Sequence, residues 1–247
     1  MRYIFLLFLL FFISCQPSKQ SFTAQQLIDK TIITSGASSL NNAKLSFRFR
    51  EKSYKAYRNY GVFKLSRIFK KDSNIVKDVL SNDGFIRTIN NKKVVVSKKE
   101  ASRFSNALNS VHYFAALPYG LNDAAVRKKM LGSATIKGKE YYKVEITFTE
   151  NGGGEDFEDV FIYWIGKQDF LIDYLAYSFH TNGGGKRFRV LKEQCVRNGV
   201  RFVDYHNYKP LDSNTALINL DTSFENNELT KVSEIVLENI QVVLNNN

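Results

Sequence analysis

The sequence predicts a mainly β protein of the α+β type: roughly ten antiparallel strands, one N-terminal helix and one inserted helix. Three observations carry that expectation. From residue 44 onward most segments alternate apolar and polar side chains with a period of two. Only two segments, at 22–34 and 98–115, carry a helical period instead. The chain also holds 20 Phe and 13 Tyr, many on both faces of the expected strands. A flat sheet with one solvated face has no use for that, whereas a curved sheet with a lined cavity and a covered outer face has.

The chain opens MRYIFLLFLLFFISC, with Arg2 ahead of an unbroken apolar run from Tyr3 to Ile13. At ~1.5 Å per residue, a helix of that length spans about half of a bilayer core, so a cleaved secretory signal fits better than a membrane span. The run ends at Ile13-Ser14-Cys15, which resembles the lipobox of bacterial lipoproteins, with Phe12 where leucine is commoner. That resemblance implies a signal at 1–14 and lipidation of Cys15, where acyl chains anchor through burial of ~0.8 kcal/mol per CH₂. Residues 15–20 form a polar tether, and 21–247 are expected to form one domain, since no Pro/Gly/Ser-rich linker interrupts them. No acidic cluster follows Cys15. The expected address is the periplasmic face of an outer membrane.

Ser21 is expected to cap the helix at 22–34, with Leu27, Ile28, Ile32 and Ile33 on its apolar stripe. A strand at 44–50 follows, then strands at 56–68, 74–81 and 85–90, the last two joined by Asn82-Asp83-Gly84, and a short one at 94–96. Ser97 and Glu100 form a capping box for the helix at 98–115, which Pro118 and Gly120 end. Strands are expected at 126–136, 140–149, 157–165, 170–180, 186–196 and 200–209, with two more between 214 and 244.

Asn-Gly-Gly-Gly occurs twice, at 151–154 and 182–185, the second followed by Lys186, Arg187 and Arg189. A phosphate cradle needs glycines between a strand and a helix, so that amides and helix dipole converge on the anion. Here a strand follows each loop, so the glycines read as suppliers of positive φ in hairpins, and as a rim able to close over a ligand. In a five-strand meander over 140–209 both loops share one rim. Pairing Ile165 with Phe170 sets Asp159 opposite Ala176 and Glu155 beside His180. Loop geometry then places Lys186 near His180 and Arg189 near Tyr177, while pairing Arg197 with Val200 brings Arg189 to Tyr208. Glu158, Tyr177, Arg189 and Tyr208 would align on one face, and Glu155, His180 and Lys186 on the other. With Asn182 and Arg187, these are the candidate ligand-rim residues.

The blocks ENGGGEDFEDVFIYWI, FLIDYLAYSFHTNGGGKRFR and GVRFVDYHNYKP resemble an uncharacterised family of envelope lipoproteins. More loosely, the layout resembles the lipoprotein carrier and receptor superfamily, the LolA/LolB-like proteins, and LSNDGFIRTINNKKVVV matches their strand, turn and strand ahead of an inserted helix. The resemblance implies a half-open β-barrel of about eleven strands, plugged by helices, with an apolar concavity suited to acyl chains.

The chain carries a formal charge of +11. That favours anionic lipid headgroups or polyanionic glycans, and a protein partner is compatible with it; nucleic acid belongs to another compartment. Outside the leader segment the only cysteine besides Cys15 is Cys195, so the body holds no internal disulfide. His112, His180 and His206 show no metal-binding spacing, there is no G-x-S-x-G elbow, and no cofactor is called for. Glu155, Asp156, Glu158 and Asp159 are numerous enough for carboxylate chemistry on sugars or phosphoesters, but a polar ladder of ion pairs and tyrosines is the simpler reading. The leading expectation is therefore a lipid-anchored binding protein for an amphiphile or a lipoprotein's acyl chains, with an interaction subunit of an envelope assembly as the alternative. Replacing Cys15→Ser is expected to abolish incorporation of labelled palmitate and shift the protein out of the outer-membrane fraction; an unchanged distribution would refute the anchor.

Overall fold

The computed structural model describes residues 22–151, 158–180 and 183–245. The signal segment, Cys15, Glu155 and Asn182 lie outside the described residues. Two seven-stranded antiparallel sheets form the body. In the first, β1 (Asn42–Phe49), β2 (Lys52–Asn59), β3 (Val62–Lys71), β4 (Asn74–Ser81), β5 (Gly84–Ile89) and β6 (Lys92–Val94) run as a meander. The second continues the same way through β7 (Val126–Ile136), β8 (Lys139–Phe148), β9 (Phe161–Gly166), β10 (Ile172–Phe179), β11 (Gly185–Arg197), β12 (Val200–Pro210) and β13 (Leu229–Ile235). β14 (Glu238–Leu244) returns to the first sheet and pairs with β1. The sheets do not close on each other, so the architecture is an open half-barrel.

Among the described residues the fourteen strands exceed the rough count of ten, although the segments expected one by one already number thirteen; the fourteenth arises because 56–68 is two strands, β2 and β3, rather than one. Tyr60 (φ 42°) and Gly61 (φ 96°) both take left-handed conformations, and Asn59 pairs with Val62. Two consecutive positive φ angles make a tight hairpin turn. A tyrosine in the first of them hides the signal.

The first helix, α1 (Ala24–Thr34), starts at Thr23 rather than Ser21. The Gln26 amide donates to Thr23 Oγ1 at 3.2 Å, and the Thr23 amide to Gln26 Oε1 at 3.0 Å. Leu27 and Ile28 are buried as expected, but Ile33 is exposed. The inserted helix, α2 (Lys98–Ala115), begins at the expected box: the Glu100 amide donates to Ser97 Oγ, and the Ser97 amide to Glu100 Oε2. The Ser97 hydroxyl, which donates to Glu100 Oε2 at 2.8 Å, and then the Ser97 amide hold the Glu100 carboxyl below its usual range.

Helix α2 lies between the inner faces of the two sheets. Its Leu108 and Ala115 pack with Leu45, Phe47, Tyr54 and Leu65 of the first sheet. Tyr113 and Phe114 pack with Phe161, Tyr163 and Leu175 of the second, where α1 adds Leu27 and Ile28. The outer face of the second sheet is covered too. Tyr174, Trp164 and Phe188 are buried there under Leu220 of the short helix α3 (Leu220–Glu225). Trp164 Nε1 donates to Asp221 Oδ2 at 3.0 Å, and Lys143 Nζ lies 2.6 Å from the same oxygen. All six residues of β9 are buried, which answers the expectation of aromatic side chains on both faces. One close approach fixes α1 to the second sheet: Gly36 (φ 70°) lies against the Gly199 carbonyl, where any Cβ would collide, and Arg201 N donates to Ser35 O. Among the described residues no helix is long and apolar enough to cross a membrane.

Candidate functional site

The inner face of the first sheet is less apolar than a core strand pattern requires. β2 sends Tyr54, Ala56 and Arg58 inward, β3 sends Leu65 and Arg67, and β4 sends Val76 and Asp78. Asp78, fully buried, receives Arg67 Nε at 2.7 Å and Arg87 Nε at 2.6 Å. A buried carboxylate shared by two arginines satisfies its lone pairs but leaves one positive charge over. That charge meets α2: Arg87 Cζ lies 3.4 Å from the centroid of the Phe104 ring. The second sheet repeats the arrangement, with Arg189 Cζ 3.9 Å from the centroid of Phe114 near the other end of α2.

Two cavities flank this helix. The larger, of about 370 Å³, opens between α2, β2, β3 and the segment leading into β7. Arg58, Phe63, Leu65, His112, Tyr119 and Phe148 are among its walls. The smaller, of about 240 Å³, lies on the side of the second sheet and is lined by Phe114, Tyr177, Arg189, Tyr205 and Asn207. Here Arg189 Nη2 donates to Tyr177 Oη at 3.2 Å. Arg189 Nε and Asn207 Oδ1 are buried with no hydrogen-bond partner among the described residues.

His112 of α2 faces the first sheet. It is 1 % exposed, wedged edge-on against Phe47 and Tyr54, with Nε2 3.3 Å from Ser66 O. Burial first, and the Arg58 charge second, push its pKa down to about 3. It is neutral at any ordinary pH. Burial likewise raises the phenols of Tyr113 and Tyr163, which share a 2.8 Å hydrogen bond deep under α2.

The rim expected from the sequence is only partly assembled. Tyr177, Arg187 and Arg189 do share the inner face of the second sheet, but the pairing differs: Tyr177 opposes Arg187, and Arg189 opposes Leu175 and Asn207. Tyr208 pairs with Phe188, faces outward and packs edge-on against Phe224. Two irregularities cause the change. The β9–β10 turn closes from Gly166 to Leu171 with Phe170 left-handed, so Ile165 pairs with Ile172 and Ala176 with Ile162. Arg197 pairs with Val200 as expected, but a bulge between Leu191 and Glu193 then slips β12 by one residue. Lys186 is not at an anion site: its Nζ donates to the carbonyls of Ser213 and Thr215. Arg187 stacks on Phe179, 5.0 Å from its centroid. Glu158 is exposed ahead of β9 and outside the ladder. His180 is exposed, with Nδ1 3.5 Å from Asp159 Oδ1. Gly183, Gly184 and Gly185 all take positive φ, the hairpin role read from the sequence. Among the described residues no cluster of His, Cys, Asp and Glu is placed to hold a metal.

Arg58, Tyr119 and Asp123, by contrast, escaped the sequence reading. Arg58 shares parity with Tyr54 and Ala56 on an apolar face, a visible signal once Tyr60-Gly61 is recognised as a turn.

A family model for a family of unknown function, DUF6503, matches residues 2–238. The chain belongs to the DUF6503 family. No curated protein matches the sequence. Among solved structures, a DUF1329 family protein from Desulfovibrio piger is 12% identical, with a TM-score of 0.43 over 90% of this chain and 93% of its own. A LolA superfamily protein from Nitrosomonas europaea is 9% identical, with a TM-score of 0.46 over 90% of this chain and 92% of its own. The lipoprotein LppX from Mycobacterium tuberculosis is 12% identical, with a TM-score of 0.29 over 64% of this chain and 89% of its own. These are distant likenesses of layout.

The site carries a pH signature. In the unfolded chain His112 takes up a proton near pH 6.5, while in the folded chain it stays neutral down to about pH 3. Its contribution to stability is therefore complete above pH 6.5 and is lost as the pH falls. Between pH 7 and pH 5 that loss is about 2 kcal/mol. Urea unfolding of the wild type and of His112→Gln at both pH values checks this: the variant is expected to lose correspondingly less on acidification, and equal losses would refute it.

Proposed function

We propose that this DUF6503 protein is a lipid-anchored envelope protein that holds the apolar tail of an amphiphile in the cavity beside α2. It would sit on the periplasmic face of the outer membrane through Cys15. The observation that carries the reading is the cavity of about 370 Å³ whose walls come from β2, β3, α2 and β8, with Phe63, Leu65, Val126 and Phe148 as its apolar surface. It lies within the size range of small-molecule sites, ~300–1,000 Å³. Burial of apolar surface at ~25 cal/mol per Å² supplies the driving force. A cavity of this size suits a single tail better than the several acyl chains of a lipoprotein, which would need α2 to move off its arginine stacks.

A second reading, a non-catalytic interaction subunit, draws support from the outer face of the first sheet. Lys44, Lys55, Lys64 and Lys77 stand exposed around a shallow groove there with Tyr57. That face suits an acidic protein surface or anionic headgroups.

Every element described lies within residues 22–245, so a chain starting at Gln16 carries the whole fold. Added to that chain, dansyl-labelled undecanoic acid is expected to bind with a blue-shifted, enhanced emission. Ala125→Trp, which places an indole in the cavity wall, is expected to weaken that binding at least tenfold with little change in melting temperature. No emission change with the wild-type chain would refute the reading.

A further inference from the structure

Among the described residues Arg58 is the one cation lining the larger cavity, and it is unusual. It is 7 % exposed, yet neither a hydrogen bond nor an ion pair reaches it from the described residues. The other inward arginines of the first sheet contrast with it, since Arg67 and Arg87 both close on Asp78. Around Arg58 the cavity offers a tyrosine ring, a neutral imidazole and one carboxylate, Asp123, whose charge acts on it. Tyr119 offers its ring face, 4.6 Å from the Arg58 Cζ. His112 lines the same cavity as a neutral imidazole. Asp123 is the only carboxylate of the lining, and it stands exposed on the segment before β7 without forming an ion pair with Arg58. Although the residue as a whole is exposed, its carboxyl is partly desolvated against the cavity mouth, which pushes its pKa above the usual range, while Arg58 and Lys128 oppose that shift.

A mostly buried guanidinium whose one nearby carboxylate, Asp123, acts on it only at a distance is incompletely compensated, and a ligand anion that reaches it makes up the difference. Its planar fork of donors matches the two oxygens of a carboxylate in a bidentate pair. We propose that Arg58 is the headgroup residue of the cavity, and that the ligand class is a single-tailed amphiphile ending in a carboxylate. This rests on the amphiphile reading above and narrows it. The head lies against Arg58 and Tyr119, and the tail runs along Phe63, Leu65, Val126 and Phe148. Because the Asp123 carboxylate already stands at the mouth, each negative charge a ligand adds is drawn to Arg58 but repelled by Asp123, so the smallest anionic charge fits best. A phosphate monoester carries up to two and fits less well.

The test compares three probes with the same twelve-carbon tail, dodecanoate, dodecanol and dodecyl phosphate, by titration calorimetry at pH 8 on the chain starting at Gln16. Dodecanoate is expected to bind at least tenfold more tightly than dodecanol, with dodecyl phosphate weaker than dodecanoate. In Arg58→Gln the preference for dodecanoate over dodecanol is expected to fall below threefold while dodecanol binding is kept. Arg58→Lys, which keeps the charge without the fork, is expected to retain an intermediate preference, and serves if the glutamine variant does not fold. Equal binding of dodecanoate and dodecanol by the wild type would overturn the headgroup assignment while leaving the amphiphile reading in place. Tighter binding of dodecyl phosphate would overturn the carboxylate class, and an unchanged preference in both variants would overturn the role of Arg58. Failure of all three probes to bind would overturn the amphiphile reading itself.

Discussion

Two arginine side chains laid on two phenylalanine rings hold α2 where it is. Arg87 reaches Phe104 from the first sheet and Arg189 reaches Phe114 from the second. Each cation–π contact in a desolvated place contributes roughly 1–2 kcal/mol. The helix bridges two sheets that share no ladder, so these contacts tie the halves of the open barrel together. Apolar packing of Leu108 and Ala115 adds to them. With α2 so placed, the concavity is neither open nor filled: among the described residues it keeps two sizeable pockets beside the helix, each with a buried arginine in its wall.

Charge burial on the inner faces follows from the same constraint. Asp78 takes up two of the first sheet's inward arginines and Tyr177 one of the second's. Arg58 is left to a tyrosine ring. A binding protein that only needed a greasy slot would place aliphatic residues at these positions, since replacing buried charges by apolar groups is often neutral or stabilising. Of these arginines only Arg58 has neither a hydrogen bond nor an ion pair among the described residues, which is why the proposed ligand head is placed there.

The fold was legible because its signals are local. The Ser97–Glu100 box set the start of α2, and alternation over 126–209 marked six of the strands at nearly their true limits. Aromatic residues on both faces of the second sheet foretold that both are covered, although α3 itself gave too short a period to be recognised. What failed was register. Bulges at Asp173 and Lys192 and a longer β9–β10 turn each shift pairing by a residue or more, and no alternation pattern records them. The shift sent Tyr208 to the outer face and kept Tyr177, Arg187 and Arg189 inside. Arg58 was hidden by a different cause, a tyrosine in the left-handed position of a turn. The candidate site was therefore half visible: its arginines on the second sheet were singled out, and its larger cavity was not.

The central claim is that the space beside α2 holds an amphiphile. Native mass spectrometry tests it most directly, on the chain starting at Gln16, purified without detergent and then extracted for lipid. The account predicts a one-to-one adduct whose extracted mass belongs to a single-tailed amphiphile. A clean apo mass, with no lipid in the extract, would contradict it and turn attention to the lysine-lined outer face of the first sheet as the working surface.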